Sequence, residues 1–117
     1  MGLDMFLFRK TTDEVAYWRK ANAIHGWIIR QTDSVDDCRP IHVNMQTLIN
    51  LRDDCLEVIK GGEETAWELM PPESGFFFGS NEVDEWYWEN IKSTAEKLTE
   101  LIENSTEDQE FEYYASW

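Results

Sequence analysis

The sequence is short of positive charge: ten Lys and Arg stand against 24 Asp and Glu, a formal net of −14. Phosphate contact requires clustered cations, so direct nucleic-acid binding is not expected. Two cysteines, Cys38 and Cys55, are too few for a disulfide framework, and in a reducing compartment they are expected as thiols. No run approaches the roughly 20 apolar residues of a membrane span. The start, "MGLDMFLFRK", lacks the basic-then-apolar layout of a signal peptide, and Phe6 stands where a myristoylation signal has Ser or Thr. A soluble, cytoplasmic protein without membrane association is the expectation. Familiar chemical motifs are missing as well. The Cys38-x3-His42 of "CRPIH" has no tight Cys-x2-Cys partner, so no metal is expected. There is no Gly-x-Ser-x-Gly elbow, neither thiol has an obvious basic neighbour, and "GFFFGS" lacks the Lys and the loop length of a phosphate cradle. No cofactor and no catalytic residue are assigned.

What is present is aromatic and acidic. Six Trp, six Phe and four Tyr among 117 residues remove the low-hydrophobicity signature of disorder, and the length fits a single domain spanning 1–117. The charge is lopsided. Residues 1–60 carry eight Lys and Arg against nine acids, a net of −1, whereas residues 61–117 carry two against fifteen, a net of −13. Such a field steers toward basic surfaces.

Periodicity predicts a strand at 3–8 ("LDMFLF") and a helix from about 13 to 31, capped by Thr12 or Asp13. On that helix Tyr17, Ala21, Ile24 and Ile28 form the expected buried stripe, with Trp18, His25 and Ile29 beside it. Arg19, Lys20, Arg30 and Trp27 project from the other side. The segment "DSVDDCRPIHV" is expected as a loop. Asn44 caps a second helix through Leu48, Leu51, Cys55, Val58 and Ile59, ending at Gly61-Gly62. A short helix, "EETAWELM", stops at Pro71-Pro72. "FFF" between Gly75 and Gly79 reads as a short buried strand. Asn81, with Asp84 three residues on, reads as the capped start of a further helix that runs to about Asn104, and "EFEYYASW" closes the chain as a strand. The expected class is α+β, a three-stranded sheet covered by about three helices.

The stretches "MGLDMFLF", "YWRKANAIHGW", "GFFFGSNEVDEWYW" and "YYASW" resemble a family of small proteins encoded by bacteriophages and prophages. Its members typically begin "MGLDMYL", carry "YWRKANxIHxWF" and include "GFFFGSxxYDExYW". The motif positions are Tyr17, Trp18, Arg19, Lys20, Asn22, His25, Gly75, Asp84, Glu85, Tyr87 and Trp88. The resemblance spans nearly the whole chain and implies a phage or prophage setting in the host cell, but no activity. Phe6 and Val83 replace tyrosines common at those places, which removes two hydroxyls.

The strongest physical signal lies on the helix after Asn81. Glu85, Glu89, Glu96, Glu100 and Glu103 share one face, opposite Val83, Tyr87, Ile91, Thr94, Leu98, Leu101 and Ile102, with Trp86 and Trp88 on the flanks. Glu85/Glu89 and Glu96/Glu100 are like-charge pairs four apart, each unfavourable by roughly 0.2–0.5 kcal/mol. Glu100 and Glu103 also lie near the negative end of the helix dipole. The expected partner is a basic protein surface, of the host defence or of the phage; an inhibitor that imitates DNA phosphates is the sharpest version. The plain alternative is a solvated face. Self-association, with Arg19, Lys20 and Arg30 meeting these acids on another copy, is a further reading. A small ligand-binding or enzymatic site built from Arg19, Asn22, His25, Asp84 and Glu85 is the alternative from another class, although Arg19 falls more than about 90° from His25 at 3.6 residues per turn. A packed, hydrogen-bonded core histidine is the simpler reading of His25.

Overall fold

The computed structural model describes residues 3–9, 13–34, 38–73 and 82–116. Among them the fold is α+β, with a four-stranded antiparallel sheet and four helices. The expected "FFF" strand, with Gly75 and Gly79, lies outside the described residues, as do Thr12 and Asn81.

The sheet begins with a hairpin of β1 (Asp4–Arg9) and β2 (Asp13–Arg19), paired from Asp4↔Arg19 to Arg9↔Asp13. This corrects the expected helix from 13 to 31, since its first seven residues form a strand and α1 (Asn22–Thr32) starts only afterwards. The physical reason is the alternation of Ala16 and Trp18, both buried, with exposed Tyr17 and Arg19, a period of two that a strand satisfies. β1 supplies the hydrogen-bonding partner, so tertiary pairing overrides the local helical pattern. Lys20 ends the strand in a left-handed conformation (φ 54°) and its N–H donates to the Leu3 carbonyl at 2.6 Å. Tyr17 is therefore not part of a buried helical stripe. Trp27 is the opposite case: expected to project outward, it is 1% exposed, and its indole N–H donates to Asp54 at 2.8 Å.

The third correction concerns the segment read as a loop. Its last residues form β3 (Ile41–Asn44), which pairs with β4 (Glu110–Ser116) from Ile41↔Tyr113 to Asn44↔Glu110. Four residues directly after Pro40 make a weak sequence signal, and the β4 ladder provides what local preference does not. β4 also pairs with β1, giving the order β2-β1-β4-β3.

α2 (Met45–Gly61) and α3 (Glu63–Leu69) match their expected spans. The Asn44 side chain accepts from the Thr47 N–H at 2.9 Å, and Gly62 adopts φ 80° between the two helices, a conformation glycine tolerates without a Cβ clash. α4 (Glu85–Glu103) starts later than the expected Asn81 and leaves Val83 outside the helix, because Asp84 is its cap and the carboxylate accepts from the Tyr87 N–H at 3.0 Å.

One face of the sheet, with Met5, Leu7, Trp18, Val43, Phe111, Tyr113 and Ala115, joins the helices' apolar stripes in one core. Polar ends of its large side chains tie the elements together: Trp18 donates to Thr94 at 2.8 Å, Tyr87 to the Met70 carbonyl at 2.8 Å, and the Tyr113 hydroxyl meets His25 Nδ1 at 2.6 Å. Buried aromatics with a polar tip require such partners. Gly26 permits one close approach. A Cβ there would fall 2.3 Å from the Glu73 carboxylate, which accepts from Arg30 at 2.6 Å.

Candidate functional site

α4 separates its two chemistries by angle. At 100° per residue the five glutamates Glu85, Glu89, Glu96, Glu100 and Glu103 fall within an arc of about 60°, and all five are exposed. Tyr87, Ile91, Thr94, Ala95, Leu98 and Leu101 face the core. Among the described residues none of the five carboxylates is in an ion pair, although Lys92, exposed on the same helix, falls about 20° from their arc. Arg9 pairs with Asp13 at 3.6 Å, Arg30 with Glu73, and Arg52 with Asp53 at 2.9 Å. Lys97 turns away from the acidic arc. Its amine donates to the Tyr17 carbonyl at 2.8 Å and sits 5.5 Å from the centre of the Trp18 ring, and partial burial lowers its pKa. It thereby covers a carbonyl of the edge strand β2, a common way to blunt such an edge.

The acids fall into two groups along the helix. Glu85 and Glu89, with Asp84 and Trp86, surround an open concavity of about 470 Å³. Glu96, Glu100 and Glu103 form the outer wall of a groove between α4 and α2, of about 460 Å³, whose other lining residues are Lys92, Ala95, Thr99, Leu56 and Ile59. Leu56 and Ile59 are 47% and 37% exposed. The sequence reading ran the second helix through Ile59 and assigned Leu56 no role. The available signal was the helical angle of Leu56, about 80° from Leu48 at 100° per residue, outside the stripe of Leu51, Cys55 and Val58.

The two expected aromatic flanks differ. Trp86 is 49% exposed. Trp88 is half-buried, packs against the core and meets Tyr87 edge-on at 5.3 Å. Among the described residues Trp67 of α3 is the other exposed tryptophan.

The alternative polar site comes together only in part. Asn22 and Asp84 line one small concavity with Lys20, Glu82 and Trp86. Its free volume is about 20 Å³, room for one water molecule. The Asn22 carbonyl oxygen also accepts from the Glu73 N–H at 3.1 Å. His25 is 2% exposed and bound to Tyr113, and Arg19 lies on the sheet face that points away from the core, opposite Asp4. Glu85 belongs to the concavity beside Trp86 instead. These five side chains therefore do not share a cleft.

Cys55 is fully buried beside Met70, and burial pushes its thiol pKa up. Cys38 is half-buried and His42 projects from β3 toward Glu110 at 3.4 Å. Among the described residues no three His, Cys, Asp or Glu side chains converge as metal ligands, and no helix is long and apolar enough to cross a membrane. No family model, no curated protein and no solved structure matches the chain.

Proposed function

We propose that this is a phage- or prophage-encoded accessory protein that works by binding, not by catalysis, and that its α4 acidic face docks on a cationic protein surface. The observation that carries the reading is the exposed arc of five glutamates, none of them in an ion pair among the described residues, with Lys92 the one cation beside the arc on the helix. A helix under selection only for solubility would intersperse signs and avoid the i,i+4 repulsion. In its sharpest form the partner is a host defence protein whose DNA-binding channel receives these carboxylates in place of phosphates. Trp86 stands beside the first two of them and supplies the apolar anchor that charge alone lacks.

The test is capture of partners from host lysate by the tagged chain at low and high salt. The Glu85→Lys, Glu89→Lys, Glu96→Lys, Glu100→Lys variant is run beside the wild type. A specific partner retained by the wild type at low salt, released as the ions screen the charges, and missed by a folded variant is the expected result. A partner profile identical for the two proteins overturns the proposal.

A further inference from the structure

Exposed apolar side chains line the groove between α2 and α4, and the kind of occupant can be read from its walls. Leu56 and Ile59 lie three apart on α2, and Ala95 and Thr99 four apart on α4, so each pair presents neighbouring side chains to the groove. Above them Glu96, Glu100 and Glu103 run at i, i+4 and i+7 along a single wall, with Lys92 one turn before. From an apolar strip with carboxylates along one margin, we infer that the groove receives an amphipathic α-helix of a partner protein, with Leu-type residues on one face and a row of Lys or Arg beside them. This rests on the proposed binding role of the α4 face and names the shape of what binds there.

A helix is favoured over an extended segment by the backbone. Both walls are helices whose mid-helix N–H and C=O groups are internally bonded, so they offer no ladder to a strand, whereas a partner helix brings its own hydrogen bonds and needs only side-chain contact. Charge favours a foreign helix over a second copy of this chain. Its own helices carry no basic row: α1 has Arg30 alone, α3 has no cation, and the two cations each of α2 and α4 are outnumbered by acids. Two copies would also bring together net charges of −14. Lys92 marks the end at which the partner's basic row should stop.

The experiment uses fluorescence anisotropy on the full chain with three synthetic probes: an amphipathic Leu/Lys helix, a scrambled peptide of the same composition, and oligolysine of equal charge. The amphipathic probe should bind about tenfold more tightly than the other two, and Leu56→Gln with Ile59→Gln should remove that advantage while leaving oligolysine unchanged. Both positions are partly exposed, so the doubly substituted chain should keep its melting temperature. Equal affinity for all three probes, unaltered by the two substitutions, overturns the groove while leaving the acidic-face reading standing. Failure of every cationic probe to bind at low salt overturns both. A concentration-dependent dimer that the two substitutions dissolve would assign the groove to a second copy and overturn the foreign helix.

Discussion

The two long sides of α4 obey opposite rules. On one, Ile91 and Leu98 are fully buried and Thr94 completes a chain of hydrogen bonds from Trp18 to the Asn90 carbonyl. On the other, five carboxylates stand in a row that weakens the helix carrying them. Full burial of a side chain such as leucine contributes about 1.5–3 kcal/mol, several times the cost of a like-charge pair. The buried side therefore holds α4 in place whatever the exposed side does, which leaves the acidic arc free to serve an external partner. A helix held only by its local preferences could not carry that arc.

The largest effect should come from breaking the buried side. Leu98→Ala is expected to cost about 2–5 kcal/mol, read as a shift in the urea midpoint, and it should lower partner capture only as far as the chain unfolds. A loss under 1 kcal/mol would show that α4 is not the packed element described here. Alkali provides a second way to attack that side. Burial raises the pKa of the Cys55 thiol and of the Tyr87 phenol above their ordinary values of 9.0 and 10.0. Groups that hold their protons more tightly when folded contribute stability that is fully present below the unfolded pKa and lost as pH rises. Stability should be level with respect to these groups up to about pH 8, then fall above about pH 9. Cys55→Ala should postpone the onset of that fall to the tyrosine range. An unchanged onset in that variant would contradict the thiol's role.

The smallest effect carries the opposite sign. Glu100→Lys removes like-charge pairs with Glu96 and Glu103 and places a cation near the helix C-terminus, so it should stabilise the fold by about 0.5–1 kcal/mol while weakening partner binding. Thermal melting and capture measured on the same variant sharpen the contrast between the two sides. Destabilisation by this substitution would mean that Glu100 already has a favourable role within the fold.

The helices after Asn44 were legible because each signal is local. Asn44 accepts from the N–H three residues on, Gly62 closes α2, and the apolar spacing of α4 repeats over five turns, although its cap is Asp84 and not Asn81. Residues 13–19 were misread because what decides them lies in a partner strand. "DEVAYWRKANAIHGW" supports a helical period throughout, and only pairing with β1 turns Asp13–Arg19 into a strand. β3 was missed for the same reason, since four residues beside Pro40 become a strand through β4. The site shows the same division. The acidic arc could be read from spacing along α4, whereas the groove needs two helices side by side. Leu56 and Ile59 acquired meaning once α4 lay next to them.

By itself the sequence determined the mixed α and β class, the cap of α2, and the gathering of acids on one side of the last helix, because caps and helical angles depend on neighbours within a turn. Tertiary structure alone decided that the sheet has four strands in the described chain, that Trp27 is enclosed, and that a groove runs beside the acids. Those outcomes depend on hydrogen-bond partners and packing surfaces beyond the local turn, from the facing strand of a hairpin to residues tens of positions away.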